Sequence, residues 1–246
     1  MHTPIDINFD FRNDTPDGRD PDIFSSTLRQ YHKLLWSKQL PCGRYFDLDD
    51  SRQGVYLYHK SELGEFLLSS DSATHTFSRW KSMAPIIEKI DQQEIEAFRT
   101  ICYTIGGFIV FPSNRIANKP TLNGARGLHP LIKDRMDLTL ECIRRHYENE
   151  YSPLSDPIAR YREFFALYGT FKGYVEFFLL QDLVTEDFSS VKFLMDFNNF
   201  SGPVVPKTPE TYHNYKEQTE KFVTNRSHRM VQSFFDRNLS QGKITF

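Results

Sequence analysis

The chain has 246 residues, with 30 Lys and Arg against 32 Asp and Glu, and with 22 Phe and 12 Tyr among its aromatics. That length builds a sizeable core without disulfides or metals, while a charged content of 25% and a negative mean hydropathy exclude a membrane-embedded chain. No apolar run approaches the roughly 18 to 20 residues of a spanning helix, and Met1–Pro4 lacks the basic and apolar regions of a signal peptide, so a cytosolic protein with no membrane partner is expected.

Residues 1–24 are polar and turn-rich, and read as an arm or an ordered loop. Ser25 and Ser26 then offer caps to a helix from about Thr27 to Lys38, with Leu28, Tyr31 and Leu35 on one face, stopped by Pro41 and Gly43. Tyr45–Leu48 and Val55–Tyr58 read as two strands joined through Asp49–Gly54. Ser61–Leu68 reads as a short helix and Ser69–Thr76 as a polar loop. Asp91 caps a helix with the stripe Ile95, Phe98, Ile101 and Cys102, which Gly106 and Gly107 end before a strand at Phe108–Phe111.

A basic stretch follows. Between Ser113 and Arg135 lie Arg115, Lys119, Arg126, Lys133 and Arg135, with Asp134 as the single acid. Gly124 and Gly127 flank Arg126 beside Asn123, so the segment reads as an anion-binding loop, with a tight turn and an internal ion pair as the alternative. It is neither a Walker loop nor a dinucleotide fingerprint. Pro130 is expected in the first turn of an amphipathic helix, with Ile132, Met136, Leu140, Ile143 and Tyr147 inward and Asp134, Asp137, Glu141 and Arg145 outward. Asp137 and Glu141, one turn apart, read either as an acid–base pair or as a solvated face.

Ile158–Leu183 is helical with breaks near Gly169 and Gly173, and Val191–Met195 is a strand candidate. After a linker marked by Pro203, Pro206 and Pro209, residues 210–239 form a last helix, with Tyr212, Tyr215, Phe222, Phe234 and Phe235 available for docking. His32 with Lys38, and His228 between Arg226 and Arg229, suit a metal-independent ribonuclease in which a base takes the 2′-hydroxyl proton and cations hold the phosphorane. Cys42, Cys102 and Cys142 are odd in number and lack a C-x-x-C pair, so reduced thiols and no metal are expected, with Cys102 and Cys142 buried.

The stretches Leu28–Pro41, Tyr103–Gly107, Phe111–Asn114, Asn123–Gly127, Asp134–Arg145 and Gly173–Val184 resemble a family of uncharacterised bacterial proteins, which implies a bacterial source and no assigned activity. Val55–Ser61, followed by Leu63, Phe66 and Leu67, is similar to the first segment of His-Tyr-Glu type ADP-ribosyltransferases, with Lys60 where glycine is common. That resemblance implies NAD as substrate, with His59 and Ser61 at a ribose, Tyr103 stacked on nicotinamide, and a glutamate at the ribosyl cation. Glu141, Glu176 and Glu186 are the candidates for that glutamate, and Glu141 is taken here. Asn123, Arg126 and Arg135 would hold the diphosphate.

The fold expected is α+β in a single domain over 1–246, with a small, mainly antiparallel sheet from the segments near 45, 55, 108 and 191, packed by several helices and followed by a helix-rich C-terminal half. The function expected is a cytosolic bacterial effector or toxin-type ADP-ribosyltransferase. Nucleic acid is the target considered, and a neutralising protein the partner considered. A ribonuclease and a non-enzymatic nucleotide- or protein-binding module are the alternatives.

Overall fold

The computed structural model describes residues 5–240; the first four residues of the expected arm lie outside that range. Local capping sets most of its helix starts. The side chain of Asp20 accepts from Asp22 N ahead of α1 (Pro21–Phe24), and that of Ser25 accepts from Leu28 N ahead of α2 (Ser26–Trp36). Each satisfies a backbone donor that the first helical turn leaves unpaired.

The strands β1 (Lys38–Gln39) and β2 (Tyr45–Phe46) form a two-stranded antiparallel sheet. A second antiparallel sheet has the order β3-β4-β5, from Leu57–Ser61, Gly64–Ser72 and Phe108–Pro112. Here the sequence reading needs correction. The segments at 45–48 and 55–58 meet only through an Asp49–Tyr58 bridge, and the helix expected over Ser61–Leu68 is the first half of β4. Gly64, at φ +127°, closes the tight β3-β4 turn opposite Ser61. Phe66, Leu68 and Ser70 then go inward at a period of two, which outweighs the helical spacing of so short an apolar run. Val191 makes only an isolated bridge with Val184 rather than a strand.

Helices surround the sheet: α3 (Ala84–Ile87), α4 (Gln92–Cys102), α5 (Leu122–Leu128), α6 (Met136–Tyr147), α7 (Ser155–Arg160), α8 (Arg162–Ala166), α9 (Phe171–Phe178) and α10 (Pro209–Ser240). The molecule is 46% helical and 11% strand with a helix-rich C-terminal half, the α+β architecture expected. β5 is buried along its whole length. α10 lies across α4 and the turn at 105–107, so close that a Cβ on Gly106 would sit 2.2 Å from Val223 O. Tyr212 and Tyr215 donate to the carbonyls of Thr76 and His75 at 2.9 and 2.7 Å. The aromatic face of this helix therefore docks on its own chain.

Two further expectations change. The glycine-flanked loop is helix α5, capped by Thr121, with Arg126 on its buried side. The helix expected from Pro130 starts only at Met136, after left-handed Lys133 and Asp134, and it is buried on every side from Met136 to Ile143. The polar arm is ordered where described: Phe11 is fully buried against Tyr31 and Phe108. Cys102 and Cys142 are buried and Cys42 is exposed, all as free thiols.

Candidate functional site

The residues expected to share a dinucleotide pocket are held apart. His59, in β3, is 2% exposed, with Nδ1 on Asp47 O at 2.7 Å, Nε2 on Ser61 Oγ at 2.8 Å, and its ring over Phe46. Tyr103 packs against Phe108 under the guanidinium of Arg12. His59 pairs across the sheet with Phe66 and Phe108 with Ser72, so the two rings sit at opposite ends of β4, six residues or about 20 Å apart along the strand.

The expected anion ligands and glutamate are committed elsewhere. Arg126 is fully buried and bonds Asp71, Thr139 Oγ1 at 2.9 Å, Asp134 O at 3.0 Å and Ser72 O at 3.3 Å, its face on Phe111. Arg135 makes a bidentate pair with buried Asp137 and reaches Val204 O at 3.2 Å. Glu141 takes Arg144 and Arg145 at 2.8 and 2.7 Å. Burial would raise its carboxyl, but the two guanidinia hold it below the usual carboxylate range. The ribonuclease set comes together only in part: His32 and Lys38 lie within electrostatic reach of Arg226, while His228 points to solvent. His32 is fully buried, and Arg226 is buried on the carbonyls of Phe178, Gly106 and Phe108.

The cavity that gathers reactive groups lies elsewhere. β4 outlasts β3: its last pairing with β3 is at Leu68, so residues 69–72 have β5 on one side and no strand on the other. Into that open edge come α1, the segment at 54–56 and the start of α5, leaving a cleft of about 700 Å³. Its walls include Asp20, Asp22, Tyr56, Ser70, Asp71 and Asn123. Asn123 is the one expected site residue found here, and it donates to Ser70 O at 2.8 Å and Ser69 Oγ at 3.0 Å.

The cleft's electrostatics are unusual. Asp22 accepts a short hydrogen bond from Ser70 Oγ, and burial, then Asp71, then Asp20, push its carboxyl well above the ordinary carboxylate range. Burial also raises Asp71, to about 6, against the opposing pull of Arg126. Tyr56 is held protonated by burial and by Asp22, and its hydroxyl lies 3.3 Å from Nδ1 of His32. Arg29, also on the wall, spends its Nε and Nη2 on the carbonyls of Tyr56, Val55 and Asp50.

The sequence reading missed Asp22, Ser70 and Asp71. Their signal was the capping run Asp20-Pro21-Asp22 and the period-two alternation through Phe66, Leu68 and Ser70, hidden because residues 69–76 have a loop's composition. Among the described residues no cluster of three His, Cys, Asp or Glu suits a metal ion, and no helix is long and apolar enough to cross a membrane.

Residues 5–230 match the model of a family of unknown function, DUF6994, and the chain belongs to that family. No curated protein and no solved structure matches it.

Proposed function

We propose that the cleft beside β4 is a small-molecule site in which Asp22 and Asp71 act as an acid–base pair on a polar substrate, with Ser70 and Tyr56 orienting the reacting group. The observation that carries this is the pairing of two raised carboxyl groups in one open cavity of ligand size. Ser70 donates to Asp22 and so fixes its rotamer, while Arg126 fixes Asp71 from behind. One carboxyl holds a proton to give, and its neighbour is poised to take one.

The test is to incubate the protein with a protein-free small-molecule extract and follow every compound by mass spectrometry. Depletion of a compound by the wild type, abolished in Asp22→Asn and Asp71→Asn variants that melt normally, is expected. Equal depletion by wild type and variants, or none at all, rejects the reading.

NAD-dependent ADP-ribosyl transfer is a second reading, favoured by the His59 to Ser61 contact at the end of β3. A bacterial source, cytosolic residence, a nucleic-acid target and a neutralising protein partner go with it. It ranks lower because Arg126 and Arg135 are occupied by Asp71 and Asp137. Label transfer from NAD to RNA or protein, lost in His59→Ala, would reverse that order.

A further inference from the structure

We propose that the cleft selects an organic cation, a ligand whose guanidinium or primary ammonium group sets its N–H donors on Asp22 and spans toward Asp71. This rests on reading the cleft as the ligand site, and it follows from an imbalance of acceptors over donors. The Asp22 carboxyl group is set deep in the wall, yet it receives one hydrogen bond, from Ser70. An ionised carboxylate has about four acceptor positions, and Asp71 already receives both Ser72 N and Arg126. Asn123 Oδ1 is buried with no donor at all.

Several donors on the wall are already committed, and those left over are Arg29 Nη1 and the Ser69 and Ser113 hydroxyls. Asn123 gives both its amide hydrogens to Ser69 and Ser70, Ser70 gives its hydroxyl to Asp22, and Arg29 gives Nε and Nη2 to backbone carbonyls. A ligand that brings acceptors finds one guanidinium nitrogen and two hydroxyls, whereas one that brings donors finds the open positions of the Asp22 carboxyl group and Asn123 Oδ1. Asp22 is half-buried and takes a single donor from the protein, so its remaining acceptor positions are open to a ligand's donors.

Charge points the same way. Facing Asp22 are Asp20 at the start of α1, Asp71 on β4 with Arg126 of α5 behind it, and Tyr56. Arg29 and His32 come from α2. The charge of Arg29 acts on Tyr56, and burial keeps His32 neutral, with its pKa down at about 3. Three carboxyl groups, of Asp20, Asp22 and Asp71, thus line the cleft with Arg29 as the cation on its wall and Arg126 paired with Asp71 behind it. A divalent metal is a poor alternative occupant, because no three-ligand cluster exists among the described residues.

Ionisation of Asp22 strengthens its hold on a cation, so binding releases a proton and affinity falls as the pH drops through the carboxyl's raised pKa. The experiment is calorimetric titration of the full chain with agmatine and putrescine, each compared with 1,4-butanediol, which keeps putrescine's length and loses its charge. Magnesium and inorganic phosphate are run beside them. Repeating each titration in Tris and in HEPES counts the protons released.

The expected result is binding of one or both cations with proton release, at least about tenfold tighter than the diol. Asp22→Asn should weaken it by about tenfold or more and remove the proton release. Asp20→Asn, which keeps the cap of α1, should weaken it less and serves if the first variant does not fold. Binding of the diol as tight as putrescine, cation binding unchanged in Asp22→Asn, preference for magnesium or phosphate, or no cation binding would each overturn the inference. The outcomes separate from the reading of the cleft itself: Asp22-dependent turnover of an uncharged compound leaves the site standing and removes only its preference for cations.

Discussion

Two polar regions of this molecule, α6 and the cleft beside β4, use the same residue types to opposite ends. On α6 every buried charge is answered. Arg135 and Asp137 form a bidentate pair that also receives Leu194 N at 2.9 Å, and Glu141 is clasped by two arginines. In the cleft, Asp22 and Asp71 line one open cavity, with Arg126 paired to Asp71 alone and Asp22 holding no cation. A closed network specifies how segments meet; an open one is left short of partners that a ligand can supply. The difference teaches that charge and burial alone do not separate a closed network from an open one in this protein, whereas an adjoining cavity does.

Removing half of a closed pair gives the largest effect. Arg135→Ala strands Asp137 without its cation and frees the segment around Val204, so a loss of about 3 to 5 kcal/mol is expected in urea unfolding. A loss under about 1 kcal/mol would show that the α6 network is no tighter than a surface pair. Arg226 is a different closed case, because its partners are carbonyls rather than an acid: Phe178 O, Gly106 O at 2.8 Å and Phe108 O at 2.7 Å. Arg226→Met keeps the volume and orphans those acceptors, and should cost about 2 to 3 kcal/mol by the same measurement. It ties α10 to β5 and α9, so α10 should also lose amide-exchange protection first.

The same contrast explains what was legible in the sequence. Caps at Ser25 and Asp91, the strand at Phe108 and the long last helix follow from local chemistry and stand as expected, whereas the helix expected to stop at Gly106 and Gly107 ends at Cys102, before a 3-10 turn that holds both glycines. The β3-β4 hairpin does not follow from local chemistry, since Phe66 and Leu67 fit either period and only their pairing with β3 decides between them. Arg126 looked like an anion ligand because its glycine neighbours are visible in sequence, while Asp71, its partner 55 residues upstream, is not. Of the charges expected outward on α6, Asp137 is inward because Arg135 and Leu194 N bond it, and Glu141 because Arg144 and Arg145 of the same helix close over it. Of the cleft, only Asn123 was named, since a site assembled from α1, β4 and α5 has no spacing in sequence to betray it.

The smallest effect expected has the opposite sign. An unfolded aspartate titrates near pH 4, whereas folded Asp71 is raised to about 6 and Asp22 well above its ordinary value, burial being the first cause in both. Between those limits the native state keeps protons that the unfolded chain has lost. The contribution of these groups is therefore fully present below about pH 4 and is lost as the pH rises through their folded values. Glu141 runs the other way: its folded value is lowered, so its contribution is present near neutrality and lost as the pH falls through that value. Asp22→Asn removes one repelling charge while leaving an amide that Ser70 can still bond. It should make the protein more stable than the wild type by about 1 kcal/mol at pH 8, with the difference vanishing near pH 4. Urea unfolding across that range measures it. A variant less stable than the wild type at pH 8 would mean that Asp22 is as well answered as Asp137, and the cleft would then be one more closed network with nothing left for a ligand to satisfy.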